Sequence, residues 1–227
     1  MSATKNGQYS TEYTIIIGIG VAIIAAFLIY IALFYGSFAS SSSASQITTV
    51  ADNLANEVSY VASQGPGSMQ VFPITIPLIQ SKYSFFCGNL IKLETSTELG
   101  VSKSVENVSG MLPLSGGTFD AFARDNNGSA TIGLVFSIAY ILQSYSVSSN
   151  TLSYSLSFYN SSGYLKGTVF NISLFSTRGA YITSAKSSTT SGQASGTLTL
   201  PSSASVQYVF EVTPLGSGDY YSTCVTG

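Results

Sequence analysis

A single carboxylate, Glu12, stands at the entrance to 23 residues, Tyr13 to Tyr35, that carry no charged side chain. A carboxylate at the edge of an apolar segment is costly unless a cation meets it. The chemistry open to Glu12 is therefore ion pairing. Other reactive side chains are sparse. The chain has no His, its two cysteines are far apart, and its ten acidic residues are scattered. A histidine-based triad is excluded, and a zinc site lacks ligands. The expectation is a protein that is not an enzyme and takes no cofactor or metal.

Cys87 and Cys224 have a second use. Outside the cell an intrachain bridge is the default, and it would tie the C-terminal tail to an early strand; two free thiols are the alternative. Asn107, Asn127, Asn160 and Asn171 each begin an Asn-x-Ser sequon and are candidate glycosylation sites. Asn127 and Asn160 sit beside turn signals, whereas Asn171 lies inside an expected strand.

Composition narrows the setting. Only 8% of the 227 residues are charged, against about 25% in a typical soluble domain. Hydroxyls, amides, glycine and tyrosine carry the polarity instead. The net charge is −2, and no basic patch exists, so nucleic acid is not an expected partner. A charge-poor, hydroxyl-rich surface suits a protein outside the cell, in an acid medium where carboxylates are partly neutral.

The elements that position Glu12 follow from periodicity. As a helix, Tyr13–Tyr35 spans about 35 Å, enough to cross a bilayer core of about 30 Å. It is longer than the apolar core of a secretory signal, about 7–15 residues. The segment is apolar all round, so it faces lipid or other helices. Gly18, Ala22 and Ala26 recur at small-xxx-small spacing, with Gly20 beside them, and small residues let helix backbones approach closely. Ordinary transmembrane composition gives the same pattern.

A serine-rich stretch, Ser37 to Ser45, follows. Beyond it Ile47, Val50, Leu54, Val58 and Val61 step by three or four and form one apolar stripe. Gly65-Pro66-Gly67 then stops the helix. The reading is one helix over about residues 10–64, with two helices hinged at the serines as the alternative. From Met69 the period becomes two. Leu152 to Phe158, Phe170 to Leu174 and Val206 to Val212 alternate as strands with one buried face. Asn126-Asn127-Gly128, Ser161-Ser162-Gly163 and Gly216-Ser217-Gly218 read as turns. Ile132 to Leu142 reads as one strand buried on both faces. The expected class is α+β: a long N-terminal hydrophobic helix followed by a β-sandwich-like domain.

Gln8-x-Ser10-x-Glu12 directly after Lys5-x-Gly7 resembles the class III signal peptide of archaeal type IV pilin-like proteins, the family of adhesion pilins and archaellins. The resemblance runs through the long helix to Gly65-Pro66-Gly67-Ser68 and ends at about Pro77. The family pattern has Leu where this chain has Ile16, and often a second basic residue where it has Asn6. The resemblance implies cleavage by a prepilin-type signal peptidase between Gly7 and Gln8. The chain then divides into a leader (1–7), a membrane and filament-core helix (8–64) and an extracellular β-rich head (65–227). Loss of Lys5 with the leader takes the net charge to −3.

Cleavage would create an α-amino group at Gln8, cationic below a pKa of about 8. In a helical homopolymer the Glu12 carboxylate of one subunit can pair with the amine of a neighbour. A subunit docked at the wrong height leaves both charges unpaired, so the pair sets axial register. The family implies two more partners, a membrane platform and an assembly ATPase, and two locations: the cell membrane for the precursor and a surface filament for the mature chain. Alternatives are an archaellum subunit, a minor pilin or pseudopilin, and a monomeric membrane-anchored binding protein.

Overall fold

A computed structural model describes residues 5–135, 138–201 and 206–226. Side chains are described from Tyr13 to Ile31 and from Gln46 onward, Leu142 excepted. Two compact units emerge, Met1–Ser43 and Ala44–Gly227.

Helix α1 runs unbroken over Lys5–Gln64, through the serine-rich stretch. The strands are β1 (Met69–Ile76), β2 (Phe85–Cys87), β3 (Leu90–Glu94), β4 (Leu99–Lys103), β5 (Asn107–Pro113), β6 (Gly117–Asp125), β7 (Ser129–Leu134), β8 (Tyr140–Ser148), β9 (Thr151–Asn160), β10 (Gly163–Tyr164), β11 (Val169–Ser176), β12 (Tyr181–Ser188), β13 (Gln193–Thr199), β14 (Gln207–Pro214) and β15 (Asp219–Thr226). One 3-10 turn, Ser81–Tyr83, interrupts them.

The expected α+β class is corrected by these elements: the chain is mainly β. Apart from one 3-10 turn, everything described after Gln64 is strand and connection. The long helix dominated the sequence reading, yet only its last third belongs to the compact unit that holds the strands.

In that unit the stripe Ile47, Val50, Leu54, Val58 and Val61 is buried, while Asp52, Asn53 and Asn56 are exposed. The helix stops where Gly65 and Gly67 take positive φ of 94° and 87°, values that L side chains avoid. Ser68 Oγ then donates to the Val61 carbonyl at 2.6 Å.

An eight-stranded sheet, ordered β1-β6-β7-β5-β15-β14-β11-β12, forms the middle layer. Its neighbours pair antiparallel except β5 with β7, which are parallel. A second sheet, β10-β9-β13 with β8 also on β9, packs on one face. Tyr154 meets Phe210 at 5.9 Å between ring centres, and Phe158 meets Phe170 at 4.9 Å. The three-stranded sheet β2-β3-β4 lies on the other face. There Phe85 and Cys87 pack with Val209. The Tyr220 hydroxyl donates to the Ser84 carbonyl at 2.9 Å, and the Phe86 amide donates to Ser222 Oγ at 3.3 Å.

The apolar run Ile132–Leu142 is not one strand. It covers the end of β7 and the start of β8, which belong to different sheets. Ile132, Leu134 and Ile141 are buried at the two ends of the run, whereas Val135 between them is exposed. Alternation does serve for β9, whose residues switch between exposed and buried from Thr151 to Leu156.

Gly100 in β4 is where the helix and the small sheet touch backbone to backbone. A Cβ built there would lie 2.5 Å from the Ile47 carbonyl oxygen, well inside van der Waals contact. Since neither partner is a flexible side chain, Gly100→Ala is expected to lower stability by about 1–3 kcal/mol. Denaturant titration measures this; unchanged stability would mean the helix does not pack on β4 as described.

Candidate functional site

The sequence-derived residues fall into three groups. At the N-terminus, the backbones of Gly7, Gln8, Ser10 and Glu12 lie in the first turns of α1. The side chains of Gln8, Ser10 and Glu12 are outside those described, so the proposed ion pair is not part of the observed geometry. Tyr13–Ile31 is long and apolar enough to cross a membrane, and none of it is buried within the chain. A Cβ on Gly18 or Gly20 would meet nothing within 4 Å, and Ala22 and Ala26 are exposed. The small-residue stripe is thus an open surface of the single chain.

The cysteines form a disulfide, Cys87–Cys224, with 4.6 Å between Cα atoms and 137 residues of separation. It joins β2 to β15, the first strand of the small sheet to the last strand of the large one. Phe85, Val209, Leu90 and Phe175 pack around it.

None of the four sequon asparagines is buried. Asn107 is exposed at the start of β5, level with Ser129 of β7. Asn127 is exposed in a turn with φ 64°, followed by Gly128 at φ 91°, and its amide donates to Asp125 Oδ1 at 2.8 Å. Asn160 ends β9 and uses its Oδ1 to accept from the Ser162 amide at 2.8 Å. Asn171 is half-buried in β11 and level with Lys186 on one side and Thr213 on the other.

A cleft of about 700 Å³ opens between β8 and the large sheet. Strand parity builds it. Asn107 and Ser109 share one face of β5, Ser129 and Thr131 one face of β7, and Tyr221 and Thr223 one face of β15. Register sets Asn107 beside Ser129 and Ser109 beside Thr131. Ile141, Gln143 and Tyr145 of β8 line the opposite wall, and Asn126 and Gln207 stand at the rim. Asn126 Nδ2 donates to Thr131 Oγ1 at 2.8 Å, fixing both groups.

Among the described residues no charged side chain lines this cleft. Gln143 Oε1 and the Tyr221 hydroxyl are buried without a hydrogen-bond partner. Burial pushes the Tyr221 hydroxyl above its ordinary pKa, tempered by the neighbouring Ser109 and Thr223 side chains, so it stays a neutral donor. Sequence reasoning did not find these residues. Their signal was polar side chains at inward strand positions, Gln143 in β8 and Ser109 in β5, but inward parity emerges only once the strands are paired.

Among the described residues three acids outside the cleft's lining are buried, Asp125, Glu211 and Asp219, and the last two lack full hydrogen bonding. Asp219 is fully buried, neither carboxylate oxygen has a partner, and Glu211 Oε2 also lacks one. Burial raises Glu211 to about 7 and Asp219 to about 6. Among the described residues no group of three Cys, Asp or Glu could hold a metal ion.

No protein-family model and no curated protein matches the chain. Two solved structures match it weakly. A DUF3823 family protein from Bacteroides ovatus is 9% identical, covering 61% of this chain and 74% of its own at a TM-score of 0.30. A "putative carbohydrate binding protein" from Bacteroides uniformis is 14% identical, covering 72% of this chain and 99% of its own at a TM-score of 0.32. Scores this low establish neither a common fold nor an activity.

Proposed function

We propose that this chain is a structural subunit of a surface filament of the type IV pilus kind, held together by its N-terminal helices and presenting the β-rich unit outward. The observation that carries the reading is α1 itself. Its apolar stretch Tyr13–Ile31 is exposed all round in the single chain, while its last turns are rooted in a buried core. Such a surface demands cover by lipid or by like helices, because apolar area in water costs about 25 cal/mol per Å².

The motif in front of the helix favours both covers in turn. The precursor rests in the membrane, a prepilin-type peptidase cuts between Gly7 and Gln8, and a platform with its ATPase moves the helix into a filament core. Exposed Gly18, Gly20, Ala22 and Ala26 would let neighbouring helices close up, and Glu12 would pair with the new amine.

One observation favours a second reading, a membrane-anchored binding protein that acts as a monomer: the neutral cleft between β8 and the large sheet. N-terminal peptide mass spectrometry on material sheared from the cell surface separates the two. A mature chain beginning at Gln8 and recovered in filaments is the expected result. A chain beginning at Met1 and confined to membranes would overturn the filament reading and leave the anchored binding protein.

A further inference from the structure

We infer that the cleft between β8 and the large sheet is a binding site for a neutral, multiply hydroxylated ligand, a short oligosaccharide. The inference holds whether the β-rich unit rides on a filament or stands alone. The cleft's volume of about 700 Å³ falls among small-molecule sites of about 300–1,000 Å³.

The lining selects the ligand class. With no charged side chain in the wall, an ionic ligand would leave water without a counter-charge to meet it. The hydroxyls of Ser109, Thr131 and Thr223 and the amide of Gln143 each donate and accept. That two-way capacity matches sugar hydroxyls, which also do both. Gln143 Oε1 is buried without a hydrogen-bond partner among the described residues, which is costly; a small turn of its amide into the cleft, where a ligand hydroxyl can donate to it, would remove that cost. The Tyr145 ring lines the cleft while 42% exposed. It offers an apolar face against which a sugar ring can lie, with its hydroxyl still wet.

The sugar could arrive from two sources. It could be free in solution, or it could be the chain's own N-linked glycan, because Asn107 lines the cleft and begins a sequon. The chemistry recognised is the same in both cases.

The test uses the full chain in lipid nanodiscs, avoiding sugar-headed detergents. Chain made without glycans is titrated calorimetrically with maltotriose, cellotriose and mannotriose, with sialyllactose as the charged control. Saturable binding of at least one neutral trisaccharide is expected, with no binding of the charged sugar. Tyr145→Ala and Gln143→Leu are each expected to weaken it at least about tenfold, or 1.4 kcal/mol. Tyr164→Ala, on an exposed ring tilted against Tyr159 outside the cleft, should leave it unchanged. Thermal melts confirm that the variants are folded.

The same titration on glycosylated chain distinguishes the sources. If the Asn107 glycan occupies the cleft, the glycosylated chain fails to bind while the glycan-free chain binds, and peptide mass spectrometry finds Asn107 modified; if the ligand is free, both bind. No binding of any neutral trisaccharide by the glycan-free chain overturns the inference, as does binding that Tyr145→Ala and Gln143→Leu leave intact. Either failure leaves the filament reading untouched, because that reading is decided at the N-terminus.

Discussion

Replacing both cysteines, Cys87→Ala with Cys224→Ala, is expected to lower unfolding stability by about 5 kcal/mol. The disulfide closes a loop of 137 residues, and chain entropy scales with the logarithm of that length, giving about 5 kcal/mol at 25 °C. Residual structure in the unfolded chain reduces the figure. Even a reduced effect is large against a typical domain stability of about 5–15 kcal/mol. The position of the bridge adds to its weight. β2 has only three residues and pairs with β3 alone, so its hold on the large sheet depends on the bridge, on the Phe86–Ser222 bond and on the packing of Phe85 and Val209. Guanidinium titration of wild type and double variant, both in lipid nanodiscs, measures the difference. A loss under about 1 kcal/mol would mean that these noncovalent contacts already hold β2 in place.

That bridge was legible from two isolated cysteines and a compartment argument, because only one intrachain partner existed for each. The stripe from Ile47 to Val61 was legible for a similar reason. Its spacing has one geometric solution, and all five residues are buried. The sheet order was not. β5 lies between β7 and β15 in the sheet, although β15 is about a hundred residues away in the chain. Such pairings are chosen by packing over long sequence distance, and no local pattern reports them. The run from Ile132 to Leu142 misled because hydrophobicity registers burial and is blind to which sheet does the burying. The class assignment erred toward α+β because a helix is easily seen in sequence, whereas short strands are seen one at a time. The cleft was hidden for a chemical reason. Serines, threonines and amides form no spacing motif, and they become a site only when four strands bring them to one end.

The stability of the β-rich unit is expected to fall as pH rises from about 4 to about 7, the reverse of ordinary acid denaturation. Glu211 and Asp219 carry the effect. Glu211 has one oxygen bonded, accepting from Thr213 Oγ1 at 3.2 Å, and one without a partner. Asp219 has neither oxygen partnered, and the nearby Ser217 side chain and its own amide only temper its rise. Burial disfavours the ionised form, lifting Glu211 from 4.5 to about 7 and Asp219 from 3.8 to about 6. Between the unfolded and folded values the native state holds more protons than the unfolded chain. Stability is therefore complete below about pH 4 and is lost as pH climbs through about 6 and 7. A tenfold change in proton affinity is worth about 1.4 kcal/mol, so each group accounts for about 3 kcal/mol. Glu211→Gln keeps an acceptor for Thr213 and removes the charge, so it should match wild type near pH 4 and exceed it by about 3 kcal/mol near pH 8. Denaturant titrations across this range measure both curves; a wild-type stability that stays flat or rises with pH would show that the two carboxylates are better solvated than described. Only ten of the 227 residues are acidic, so Glu211 and Asp219 weigh heavily in how the unit responds to pH.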